Sequence, residues 1–124
     1  MKYSYILLAS VALAGFSSAQ ITYPAGDGPG KGKHLVFVAS DHEYRAEQIS
    51  PALARIMAKH HGFKCTVLFG VNDKGYIHGG SSNIPGMEAL DTADGLVFIT
   101  RFVDLPEEQM KHLKPLDIDE VRQM

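Results

Sequence analysis

The run Leu35-Val36-Phe37-Val38-Ala39, passing into Ser40-Asp41-His42-Glu43-Tyr44-Arg45-Ala46-Glu47, decides the fold. Five apolar residues without alternation suit a strand covered on both faces, as in a parallel sheet layered with helices. Two later segments repeat the pattern: Cys65-Thr66-Val67-Leu68-Phe69 and Gly95-Leu96-Val97-Phe98-Ile99-Thr100. Between the first two, Ser50 and Pro51 have N-cap and first-turn character. Leu53, Ile56, Met57 and His60 then recur at helical spacing as one expected core-facing stripe. Lys59, His60 and His61 suit the negative end of that helix, and Gly62 suits a left-handed stop. Neighbouring helix residues point about 100° apart, so His60 and His61 do not converge on a metal by themselves.

Gly70 to Gly86 has loop composition, with Asn72-Asp73-Lys74-Gly75 as a turn and Gly79-Gly80-Ser81-Ser82-Asn83 as a flexible run. Met87 to Asp91 suits a short helix with Met87 and Leu90 on one face. A last helix is expected after the third strand, with Asp104 and Glu107 at capping-box spacing, Pro106 in its first turn and Pro115 as its stop. Strand, helix, strand, helix, strand, helix implies right-handed βαβ units. The expected class is α/β, a flavodoxin-like three-layer sandwich with a parallel sheet in order 2-1-3.

Residues Met1 to Ala19 have the pattern of a signal peptide. Lys2 precedes an apolar run from Ile6 to Phe16, and Ser17-Ser18-Ala19 offers small residues for cleavage. The apolar run is short for a bilayer span, so no stable anchor is expected after cleavage and the chain is expected outside the cytoplasm, secreted or periplasmic. Cleavage after Ala19 leaves 105 of the 124 residues, one small domain, with 11 basic and 14 acidic side chains and a net charge of −3. No basic face for nucleic acid is present. The single cysteine, Cys65, forms no internal disulfide and suits a buried, inert position in its strand. Gln20 to Lys33, rich in Pro and Gly, is expected to be a flexible leader. Its glycines lack the spacing of a P-loop and precede a strand rather than follow one, and no cofactor is implied. The domain then occupies residues 34–124.

In open parallel sheets, ligands bind beyond the carboxyl ends of the strands where strand order reverses. Order 2-1-3 places that crevice between the first and third strands. Asp41, His42 and Glu43 are the candidate catalytic groups, and Tyr44, Arg45, Thr100 and Arg101 the candidate substrate-binding ones. Arg101 suits a clamp on a carboxylate or sugar hydroxyls, or an internal partner for Asp41 or Glu43. Solvated loop charges and dipole-facing acids would have the same composition. Asp41, His42 and Glu43 also offer ligand types for a divalent metal, at a spacing common by chance, and no metal site is assigned. His34 and His78 have no evident partner.

The ordered set Gly30–Val38, Asp41–Glu47, Leu53–Phe69, Asn83–Leu90, Thr100–Phe102 and Leu105–Met110 resembles the N-terminal half of exported bacterial ThuA-like (trehalose-utilisation-like) domains. The likeness covers about Gly30 to Leu113. It implies a class I glutamine amidotransferase-like fold and a link to sugar chemistry, with a small sugar-like ligand as the expected partner. It does not imply glutamine hydrolysis, because Cys65 lies on the wrong strand for the nucleophile of that superfamily. The segment Lys114 to Met124 departs from the family's continuation into a further strand. A truncated domain or gene fragment is therefore expected, leaving an apolar third strand with an open edge. Three functions follow: an enzyme acting on a sugar-derived molecule, a non-catalytic carbohydrate-binding module, or a fragment without activity of its own.

Overall fold

The computed structural model describes residues 19–113. The segment expected to be a signal peptide, apart from Ala19, and the segment after Leu113, Pro115 included, lie outside the described residues. The elements are β1 (Gln20–Tyr23), β2 (His34–Ser40), α1 (Ala46–His61), β3 (Lys64–Phe69), a 3₁₀ turn (Met87–Thr92), β4 (Gly95–Thr100) and α2 (Glu107–Met110). They form a small α/β domain around one four-stranded sheet in the order β1-β3-β2-β4.

The three apolar runs are parallel neighbours as expected, with β2 central: Val36 pairs with Thr66 on one side and Leu96 on the other. The sheet is nevertheless mixed rather than purely parallel. β1 joins antiparallel to β3, from Gln20 against Leu68 to Tyr23 against Cys65. The segment expected to be a flexible leader thus starts as a strand, and its glycines go on to seal a helix end. The Gly26 and Gly30 N–H groups donate to the Ala58 and His61 carbonyls at 3.0 and 2.7 Å. These are carbonyls that a helix C-terminus leaves without intrahelical partners. Pro and Gly here mark a closely fitted strap rather than slack chain.

Side-chain alternation divides the core into two layers. Phe37, Ala39, Cys65, Val67 and Phe69 meet α1 on one face, with Val97 and Ile99 partly buried beside them. Val36, Val38 and Leu68 meet Ile84, Met87, Leu90 and Leu105 on the other. Met87 and Leu90 share a face of the 3₁₀ turn, where residues three apart eclipse. Cys65 is fully buried, and burial pushes its thiol above the ordinary value, consistent with an inert role. His34 is also buried. Its ring nitrogens meet the Thr66 and Thr92 hydroxyls at 2.8 and 3.2 Å, tying the amino ends of β2 and β3 to the 3₁₀ turn.

α1 departs from expectation in two ways. It starts at Ala46, four residues before Ser50, behind Arg45 in a left-handed conformation (φ 52°), and Pro51 lies inside it. Ser50 is no cap: it is buried, and its hydroxyl lacks a partner. The buried stripe is Ala46, Ser50, Ala54 and Ala58, whereas Leu53 and Ile56 are 42% and 48% exposed and His60 is exposed. Small residues four apart let the helix axis approach the sheet closely, which turns the larger aliphatics to its flank. The stop at Gly62 is as expected (φ 81°), with its N–H on Ala58 and that of Phe63 on Met57. α2 is a short helix of four residues that begins after Pro106. Asp104 does not cap it; the Asp104 N–H instead donates to the Ser82 hydroxyl at 2.8 Å.

Candidate functional site

The carboxyl ends of β2, β3 and β4 gather three loops on one rim of the sheet. The loop after β2 is closed by Asp41. Its side chain is almost fully buried, and its Oδ1 accepts the N–H groups of Glu43 and Tyr44, both at 2.7 Å. Those two donors, the Tyr44 N–H foremost, hold the Asp41 carboxyl below the ordinary range, with the nearby positive charge of Arg101 contributing in the same direction. The loop then leaves through Arg45, whose carbonyl accepts the first helical N–H bonds of α1 from Gln48 and Ile49.

The loop after β4 begins where Thr100 pairs with Ser40 and the Arg101 N–H donates to the Ser40 carbonyl. This register lifts Arg101 over the rim, where its Nη1 bonds the Glu43 carboxylate on the facing loop. The guanidinium carbon also lies 4.8 Å from the Phe102 ring centroid and 6.0 Å from that of Tyr44. Phe102 is 80% exposed and Tyr44 62%. Arg45 (φ 52°) and Phe102 (φ 55°) are the non-glycine residues with positive φ among the described residues. One stands in each of the two loops flanking the crevice. Such conformations cost about 1–3 kcal/mol each and concentrate at ligand sites.

The loop after β3 supplies a third wall. The Ser40 hydroxyl donates to the Ser81 carbonyl at 2.6 Å, and Gly79 packs on the loop after β2 so closely that a Cβ would meet the Asp41 carbonyl oxygen at 2.9 Å. His42 is exposed, with its ring against Gly80, where a Cβ would come within 2.9 Å of Nδ1. The Gln109 side chain fixes the wall from below, accepting the Ile84 N–H and donating to Asn83 Oδ1.

The structure therefore brings together Asp41, Glu43, Tyr44 and Arg101 as the topology suggested, with Thr100 at the edge of the group. Arg45 serves the helix start, and His78 joins the β3 loop through its backbone N–H to Gly70. Among the described residues, no group of three or more His, Cys, Asp or Glu side chains is placed to hold an ion. Sequence reasoning gave Phe102 no role, although it directly follows the arginine. Nor did it see Gly79 and Gly80 as a packed wall, because a Gly-Gly-Ser-Ser run reads as slack. Among the described residues no helix is long and apolar enough to cross a membrane. No family model, curated protein or solved structure matches the chain.

Proposed function

We propose that the crevice between β2 and β4 binds a small sugar-like ligand. One observation carries this: the Arg101–Glu43 pair is open to solvent and framed by the exposed rings of Tyr44 and Phe102. A pyranose presents apolar C–H faces and a rim of hydroxyls. Aromatic rings suit the faces, and a guanidinium donor beside a carboxylate acceptor suits the hydroxyls. The resemblance to exported ThuA-like domains points to the same ligand class, and the crevice lies where open sheets bind small molecules.

Binding without turnover is better supported than catalysis. Asp41 is spent on closing its own loop, and Glu43 is engaged by Arg101. Neither stands free to take a proton from a bound molecule, as a general base must, and His42 would then lack a carboxylate partner for acid or base work.

Calorimetry of the full chain against neutral and acidic mono- and disaccharides tests the proposal. At least one sugar is expected to bind, and Arg101→Ala to weaken it by about tenfold or more, the loss of one charge-assisted hydrogen-bonding group. No binding by any sugar at millimolar concentration refutes it, as does equal binding by Arg101→Ala. Turnover of a bound sugar would favour the enzyme reading over binding alone.

A further inference from the structure

From Gln48 to Asn72 the chain holds no aspartate or glutamate, although it carries 14 acidic and 12 basic side chains in all. Most of this stretch is α1, whose one acid, Glu47, is half-buried in the first turn. At about 100° per residue, Ile49, Leu53 and Ile56 fall within an arc of roughly 60° on the helix. They form one line beside the buried Ala46–Ala58 stripe and are 41%, 42% and 48% exposed. Arg55 and Lys59 lie about 100° further round, on the side turned away from the sheet, and both are exposed. Among the described residues the ion pairs are Lys33–Asp94, Arg101–Glu43, Lys111–Glu108 and His112–Asp91, so Arg55 and Lys59 meet no carboxylate. Lys64, exposed just past the helix end, meets none either.

We propose that this flank of α1 is a docking surface for an anionic lipid bilayer, held peripherally and reversibly. Charge complementarity selects the occupant. Anionic headgroups suit Arg55 and Lys59, and the apolar boundary beneath them suits Ile49, Leu53 and Ile56. The long cationic side chains can keep their heads among the phosphates while their stems lie along the apolar layer. A second copy related by a two-fold axis would set this acid-free stretch against itself, cation facing cation. Nucleic acid would satisfy the cations and leave the three aliphatics without an apolar partner. No residue of the crevice takes part, so the surface stands apart from the sugar-binding reading.

The test uses the full chain carrying Leu53→Cys, labelled there with an environment-sensitive dye; Cys65 is fully buried and stays unlabelled. Emission is expected to shift to the blue on vesicles of equal phosphatidylglycerol and phosphatidylcholine, and not on phosphatidylcholine alone. Raising salt from about 50 mM to about 500 mM should remove the shift, because surface charges are then screened. Tyr76→Cys, labelled in the same way in the exposed loop after β3, should show no shift. This control separates docking through α1 from membrane contact made by any other part of the chain. Arg55→Glu and Lys59→Glu, both at exposed positions, should each weaken vesicle binding at least about fivefold. The salt series needs neither variant and so stands whatever they do to folding. No shift at Leu53→Cys, an equal shift on phosphatidylcholine alone, or an equal shift at Tyr76→Cys overturns the proposal. A shift produced by duplex DNA and not by the vesicles overturns it too, and would assign the surface to nucleic acid.

Discussion

Gly62→Ala is expected to damage this fold far more than the same substitution at Gly32, although the two backbones are nearly alike. Gly62 has φ 81° and Gly32 φ 84°. Placing alanine in the left-handed region costs about 1–2 kcal/mol at either position. At Gly32 nothing lies within 4 Å of the added Cβ, so this is the whole cost there. At Gly62 the Cβ would lie 2.7 Å from the Gly28 nitrogen and 2.9 Å from its Cα and oxygen. All three are backbone atoms that cannot swing aside, so the strap must lift from the helix end. Lifting it would break the Gly26–Ala58 and Gly30–His61 hydrogen bonds, about 1 kcal/mol each. Gly62→Ala should therefore cost about 3–4 kcal/mol against about 1–2 for Gly32→Ala. Urea unfolding followed by circular dichroism measures both, with the slope checked for constancy. Equal losses would mean that the strap does not press on the helix, and the flexible-leader expectation would return.

Phe102→Gly relieves a left-handed aromatic that is 80% exposed, so it should leave stability unchanged or raise it by up to about 1 kcal/mol while weakening sugar binding. Calorimetry beside urea unfolding measures the two effects, and a clear loss of stability would show that Phe102 serves the fold. Ala54 is fully buried under α1, so Ala54→Leu should cost about 1–3 kcal/mol by overpacking. Leu53→Ala, on the exposed flank, should cost less than about 1 kcal/mol in the same unfolding assay. The Asp41 carboxyl is lowered in the folded state, so its contribution is complete above the ordinary value near 3.8 and drains away as pH falls below it. Exchange at the Glu43 and Tyr44 amides should accelerate in that acid range beyond the intrinsic pH trend. In Asp41→Asn that additional acceleration should disappear.

The sequence carried the sheet's centre clearly, because a strand covered on both faces is written as an unbroken apolar run. β2, β3 and β4 each had one, and their relative order was the one that a flavodoxin-like arrangement assigns. β1 was hidden because Gln20-Ile21-Thr22-Tyr23 is short and polar at an edge. Its neighbours Gly26 to Gly30 look like slack, and only the carbonyls they meet reveal their use. Ser50-Pro51 imitated a helix start, while the real one depends on the strained Arg45 backbone, which has no composition signal. The helix stripe was misplaced because Leu53 and Ile56 outweigh alanine on any hydrophobic scale, although close approach to a sheet favours alanine. At the crevice, topology placed Asp41, Glu43, Tyr44 and Arg101 together. The split between Asp41 as a buried loop tie and Glu43 as an exposed partner for Arg101 rests on local hydrogen bonding, which spacing does not reveal.

The strap also sets the order in which the molecule is completed. Gln20 to Tyr23 are made before every other strand of the sheet, yet their pairing partner on β3 arrives only after α1 has been produced. Until then β1 has no strand to pair with, and the strap can reach only the end of α1, at the Ala58 and His61 carbonyls. The first strand to be made is thus a late latch, and proteolysis of nascent protein should strike it before it touches β2.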